Sequence, residues 1–266
     1  MIDRVLIVDT ETTGLEPDSS QVIEIGAILY SVRHQTTLQQ MSVLLPAEDN
    51  PQENVNRIKP ASLQDLPVAV SEMGFSTLTA MASLSDLVVA HNAEFDRKWF
   101  GVKDIYGTKI PELLGASGWP LKWVCTCTDF EWPRQTKAGQ SLVNLALAHD
   151  IGVSLAHRAL ADCQLIAALF DRMEDLQAMF TRAMRPKGRF VALVSYDDRH
   201  LAKEAGFKWF PEAKTWERTM AISDAELLPF PIKQVSQEPS FVPVPKPSVV
   251  PQSIYGDILF QADSGS

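Results

Sequence analysis

Three apolar, β-rich segments open this chain before any helical period appears, and that order narrows the folds open to it. Val5-Leu6-Ile7-Val8 is a short apolar run that stops at Asp9, the pattern of a buried strand. Residues 22–30 and 38–45 read as two more strands, set off from the first by the turn chemistry of Thr12-Thr13-Gly14 and Glu16-Pro17-Asp18. Three such strands fit an antiparallel meander. Asn50-Pro51 and Lys59-Pro60 then punctuate a loop, and helix begins to alternate with strand. The pattern predicts helix over 76–84, strand over 87–90, helix over 94–100 and strand over 123–128. Helices follow over 142–149 and, as one long element, over 159–184. Strands first and alternation afterwards predict an α/β fold over residues 1–184, a mixed sheet flanked by helices.

Arg185-Pro186-Lys187-Gly188 breaks that pattern and starts a second unit. Residues 188–220 read as a small α+β C-terminal module: strand over 190–194, helix over 200–205, strand over 214–220, with Phe207, Trp209, Phe210 and Trp216 as its aromatics. From Pro229 the chain turns Pro-rich, and 229–266 reads as an extended tail. The tail closes on an apolar group, Ile254, Tyr255, Ile258, Leu259 and Phe260.

The formal net charge of −9 speaks against a polyanion partner until its distribution is considered. Residues 181–220 hold nine Lys and Arg against five Asp and Glu, a local excess of four positive charges. Acid-rich chemistry beside a separate basic segment suits a metal enzyme with an accessory binding surface; solvated surface charge gives the same numbers. Three cysteines, Cys125, Cys127 and Cys163, are too few and odd in number for a disulfide framework and read as reduced thiols. No apolar run approaches the roughly 20 residues that span a bilayer. Met1-Ile2-Asp3-Arg4 has no signal-peptide character, so a cytoplasmic protein without membrane contact is expected.

The chemistry lies in carboxylates at strand ends and helix starts. Asp9 and Glu11 end the first strand two residues apart, so their side chains share a face. Two like charges on one face call for a cation between them, and a hard divalent ion with oxygen ligands is the usual solution; a solvated strand end is the alternative. His91-Asn92-Ala93-Glu94-Phe95-Asp96 follows the strand at 87–90 directly and places Asp96 in the first turn of a helix, where the helix dipole also favours an acid. In His157-Arg158-Ala159-Leu160-Ala161-Asp162, five residues of helix would turn His157 about 140° away from Asp162. The two converge if His157 sits in the loop ahead of the helix, which leaves its imidazole above a metal site, where a general base belongs. A capping or surface histidine is the alternative.

Taken together, Asp9-Thr10-Glu11-Thr12-Thr13-Gly14, His91-Asn92-Ala93-Glu94-Phe95-Asp96 and His157-Arg158-Ala159-Leu160-Ala161-Asp162 resemble, in order and spacing over roughly residues 3–175, the three motifs of the DEDDh 3′→5′ exonucleases. That is the family of the proofreading epsilon subunit of bacterial DNA polymerase III and of ribonuclease T. The resemblance implies a ribonuclease H-like fold, Asp9, Glu11, Asp96 and Asp162 as metal-ligand positions, and His157 as the base. It implies two Mg²⁺ ions per site, with Mn²⁺ as a substitute, and release of nucleoside 5′-monophosphates from a nucleic acid with a free 3′ end. DNA is the favoured substrate; the motifs themselves do not separate it from RNA. Thr12, Leu15, His91 and Asn92 are expected to meet the terminal nucleotide. One departure stands out: many relatives carry a histidine in the loop before the second motif, where this chain reads Asn56-Arg57-Ile58-Lys59. The 188–220 module resembles HARP-type repeats of annealing helicases and is expected to hold nucleic acid. Residues 252–261 are expected to dock on a replication or repair protein, with folding back onto the exonuclease domain as the alternative.

Overall fold

The computed structural model describes residues 1–137 and 139–237. Its first three strands are the expected meander: β1 (Arg4–Thr12), β2 (Val22–Ser31) and β3 (Thr36–Leu44) pair antiparallel, with Asp9 opposite Gly26 and Glu11 opposite Glu24. Two short helices, α1 (Glu53–Asn56) and α2 (Pro60–Gln64), lead into α3 (Val68–Ser83). Then β4 (Leu87–Ala90), α4 (Ala93–Arg97) and β5 (Lys122–Cys125) follow. β4 runs parallel to β1 and β5 parallel to β4, so the mixed sheet has the order β3-β2-β1-β4-β5. Helices α5 (Leu142–Ala148), α6 (Ala159–Phe170) and α7 (Leu176–Ala183) complete the domain.

Alternation along β1 divides the core. Val5 and Ile7 join Ile28, Tyr30 and Val89 beneath α5, α6 and α7, while Leu6 and Val8 join Ile25, Ala27 and Val88 beneath α3 and the segment after α4. A strand covered on both faces reads as a continuous apolar run, which is why Val5 to Val8 shows no alternation in sequence. The same period sends Asp9 and Glu11 toward α6 and Thr10 toward α4.

Helix α4 stops at Arg97 and β5 at Cys125, each three residues short of its expected end, and two helices differ more. The long helix over 159–184 is two, because the Gln35 side chain, from the β2–β3 turn, donates to the carbonyls of Phe170 (2.8 Å) and Met173 (2.7 Å) and so satisfies the end of α6. Asp175 then caps α7 by accepting from the Ala178 amide at 2.9 Å. Helix α3 begins at Val68, eight residues ahead of the expected start. Gly74 hides that first half from a propensity reading, yet a Cβ there would lie 2.5 Å from Val43 Cγ2, so the glycine is what lets α3 lie on β3.

The C-terminal module contains β6 (Lys187–Ala192), α8 (Arg199–Glu204), β7 (Lys208–Phe210), β8 (Thr215–Ala221), α9 (Ile222–Ala225) and β9 (Ile232–Gln237). Its sheet has the order β7-β8-β6-β9, and Phe190, Ala202, Phe207, Met220 and Phe230 form a core of its own. The module therefore runs past residue 220, into the stretch whose prolines suggested a tail. Pro231 immediately precedes β9, an edge strand, and a proline at the start of an edge strand removes no ladder hydrogen bond. Residues 238–266, with the expected docking segment 252–261, lie outside the described residues. Among the described residues no helix is long and apolar enough to cross a membrane.

Candidate active site

Parallel pairing of β1 with β4 brings the two strands' C-terminal ends together. Asp9 and Glu11 lie past Ile7, the last residue of β1 paired with β4, and the second motif starts directly after β4. A bulge in the β1–β2 ladder falls just after Glu11, the kind of irregularity that re-aims a side chain beside a site. From the other side, α6 presents Asp162 in its first turn. Asp9, Glu11 and Asp162 each offer a carboxylate oxygen, and the three oxygens lie within 4.8 Å of one another.

Asp96 stands outside that trio. It is 2% exposed and accepts a hydrogen bond from Thr10 Oγ1 at 2.8 Å. Thr10 thus ties the second motif to the first across the sheet. Burial, then the neighbouring Asp96 and Asp162 charges, hold the Asp9 carboxyl well above the ordinary range. Burial and the charge of Asp162 push Glu11 up to about 8. Asp96 and Asp162 are also raised, chiefly by burial. Asp162 Oδ1 is buried and has no hydrogen-bond partner among the described residues. An unpartnered buried carboxylate oxygen beside two more carboxylates is a donor set that a hard divalent cation fits.

His157 lies in the loop ahead of α6, exposed and at φ 60°, a left-handed conformation. Its backbone amide and its charge both draw the Asp162 carboxyl down, against the larger effect of burial. The structure thus brings His157 to Asp162 from the loop, and the helical-wheel conflict does not arise. His91 is half-buried, with Nδ1 3.0 Å from Thr126 Oγ1 and Nε2 3.1 Å from the Gln140 carbonyl oxygen. Burial lowers its pKa. Both ring nitrogens are thus engaged by the protein. Asn92 is exposed at φ 70° at the start of α4. The Thr12 hydroxyl donates to the Gly14 carbonyl at 2.6 Å, so it serves the turn, while Leu15 on that turn is 72% exposed. In the departing loop, Asn56 and Ile58 are buried, Asn56 accepting from Asn50 Nδ2 at 2.8 Å, and Arg57 and Lys59 are exposed.

Three residues at the site escaped the sequence reading: Thr10, Glu24 and Arg158. Glu24 was the visible one, a lone acid within the apolar run Val22-Ile23-Glu24-Ile25-Gly26. In the module, the local positive excess is partly neutralised. Arg185 pairs with Asp224, Arg189 with Glu217 and Lys187 with Asp129, and half-buried Arg218 donates to the Ala205 carbonyl. Trp216 packs on the module core, whereas Trp209 is 47% exposed.

The profile of the exonuclease family of ribonuclease T type matches residues 6–170, and that of a domain of unknown function (DUF8626) matches residues 189–235. No curated protein matches the chain by sequence. Exonuclease X in complex with 5′-overhanging duplex DNA is 25% identical, with a TM-score of 0.46 over 67% of this chain and 99% of that one. Exonuclease I of E. coli, in its zinc-bound complex with single-stranded DNA, is 17% identical, with a TM-score of 0.50 over 76% of this chain and 50% of that one. A 3′-exonuclease described as recognising the 3′ end of a histone mRNA stem-loop is 14% identical, with a TM-score of 0.47 over 66% of this chain and 64% of that one. The likeness to exonuclease I shows the ribonuclease H-like fold; this chain spans half of that protein's length.

Proposed function

The chain belongs to the exonuclease family whose profile matches residues 6–170, and from that premise we propose that it removes nucleoside 5′-monophosphates one at a time from the 3′ end of DNA. The observation that carries this reading is the trio of carboxylate oxygens within 4.8 Å, with Asp162 Oδ1 buried and unpartnered among the described residues and the His157 loop beside it. Asp9, Glu11, Asp162 and Asp96 would hold two Mg²⁺ ions, Mn²⁺ substituting. When bound, such ions supply the positive charge that activates a water and stabilises the leaving oxygen. His157 takes the proton from the attacking water; it is exposed and adjoins the cluster without being part of it. Leu15 meets the terminal base, the turn at Thr12 and Gly14 the terminal sugar. His91 acts through its grip on Thr126 and Gln140, by shaping the wall of the site, and Asn92 offers its exposed amide to the strand.

The same carboxylates serve RNA as well as DNA, so the deciding experiment runs both. A 5′-labelled oligonucleotide of each kind is incubated with Mg²⁺, Mn²⁺ or EDTA. A ladder shortening from the 3′ end of DNA, abolished by EDTA, is expected. His157→Ala should cut turnover about 10²–10⁴-fold, the usual share of a general base. Full activity in EDTA would remove the metal from the reading, and a ladder on RNA alone would reassign the substrate.

We assign the module a supporting hold on the same strand. Arg199, Lys203, Lys208 and Lys214 are exposed and carry no ion pair among the described residues. Exposed Trp209 and Phe210 lie beside Lys208 on β7, and the Arg199 guanidinium stacks 3.8 Å from the Tyr196 ring centroid. Cations interleaved with aromatic faces suit a single strand whose bases stack and whose phosphates need counter-charge.

A further inference from the structure

A fifth carboxylate lies in the same corner. Glu24 is 1% exposed and stands opposite Glu11 on the neighbouring strand, and its charge pushes Asp9, Glu11 and Asp162 further toward protonation. Unlike the other four it is fully engaged. Oε2 accepts from Arg158 Nε at 2.8 Å and from the Ala159 amide at 3.1 Å, and Oε1 from Arg158 Nη2 at 2.9 Å and Ser42 Oγ at 2.7 Å. A buried carboxylate with four donors, two of them the fork of one guanidinium, has its charge compensated and no oxygen left for a cation.

What Glu24 holds is the start of α6, the element on which the third motif depends. Helix α6 has no side-chain cap of its own, and the Ala159 amide at its first position is satisfied by Glu24 from β2. An acid at this end is also favoured by the helix dipole. Two residues along β2, Gly26 brings the strand into contact: a Cβ there would lie 2.3 Å from Ala159 C and Leu160 N. Arg158 is the joint. It follows His157 directly, its carbonyl accepts from the Asp162 amide at 3.0 Å, and its side chain is clamped to Glu24. Base and ligand therefore take their places from a residue whose side chain is held by a strand of the sheet.

We propose that Glu24 is a positioning residue of this exonuclease, setting His157 and Asp162 against Asp9 and Glu11 through its bidentate pair with Arg158. The inference rests on the reading of His157 as base and Asp162 as ligand given above.

The test uses the full chain with Arg158→Ala, Glu24→Gln and the double variant. Turnover and KM are measured on a 3′-ended oligonucleotide, Mn²⁺ affinity by EPR, and melting by circular dichroism. Arg158→Ala is expected to lower kcat by about 10²-fold, the scale of a catalytic group displaced by about 1 Å, with KM little changed and Mn²⁺ affinity reduced. The Arg158 side chain is 33% exposed, so a small cation can enter its place. Millimolar guanidinium should restore part of both kcat and Mn²⁺ affinity in Arg158→Ala, and nothing in the double variant, which has no carboxylate to receive it. Wild-type kcat in Arg158→Ala, or a loss that guanidinium leaves untouched, overturns the proposal. If Arg158→Ala melts below the assay temperature, Arg158→Lys keeps the charge and loses the fork; unchanged kcat there overturns it equally. A wild-type chain that neither cleaves nor binds Mn²⁺ sinks the reading of the site itself, whereas an active wild type with indifferent variants sinks only the role of Glu24.

Discussion

Asp9, Glu11, Asp96 and Asp162 are crowded, and burial outweighs what Arg158 and His157 offset at Glu11 and Asp162, so all four carboxyls are held above their ordinary range. A carboxyl raised on folding stabilises the fold below its unfolded pKa, and that contribution is lost as pH climbs through the folded value. For Glu11 that value is about 8. The metal-free protein is therefore expected to melt at a lower temperature above pH 8 than near pH 5. Added Mn²⁺ should raise the melting point most at the alkaline end, because it binds the ionised carboxylates and only the folded chain assembles them. Metal-free melting that is flat or rises over this range would show that the cluster is already compensated. Much of this site was legible as residues. A period of two puts Asp9 and Glu11 on one face and Asp96 and Asp162 stand at helix starts, while the resemblance to the exonuclease motifs is what made the four one set. Thr10 and Arg158 were not legible, because their value is a partner 86 residues away in one case and 134 in the other.

The docking of α6 on β2 sets a demand that can be measured at the level of the element. Gly26→Ala places its new atom against backbone rather than a movable side chain, so strand and helix must separate. Overpacking of this kind costs about 1–3 kcal/mol, to be read as a lower urea midpoint together with a fall in kcat. Gly152→Ala, where a Cβ meets nothing within 4 Å, serves as the control and is expected to leave both within error. A Gly26→Ala chain as stable and active as wild type would mean that the contact is slack. Elements were legible where their own residues decide them. The meander, β4 and the start of α6 lie close to where periodicity and turn chemistry place them. The break between α6 and α7 is set by Gln35, the early start of α3 by Val43, and β9 by its pairing with β6. None of these leaves a local mark, since each depends on a segment far away in sequence.

The whole molecule is built on two sheets, one of five strands and one of four. The structure joins them just past the end of β5: Lys187 of the module pairs with Asp129, and the charge of Lys208 acts on Cys127, whose thiol burial pushes up to about 11. If the module holds the strand, replacing Lys203, Lys208 and Lys214 by alanine should weaken binding of long oligonucleotides while sparing hydrolysis of very short ones. The slope of log K against log salt should fall by about 0.7 for each single-strand phosphate that is no longer neutralised. Equal slopes would leave the module without that role. The join past β5 matters for another reason. β5 is the outer strand of its sheet. Because the Thr126 amide points to Ala90 on β4, the Cys125 amide points outward, and there it meets Asp129 Oδ2 at 2.8 Å, the carboxylate that Lys187 holds. A bare strand edge is a template for another chain. Asp129 caps that outward amide and Lys187 of the module holds Asp129, so an exonuclease domain cut free at residue 184 is expected to expose this edge and to associate with itself, while its hold on the terminal nucleotide stays.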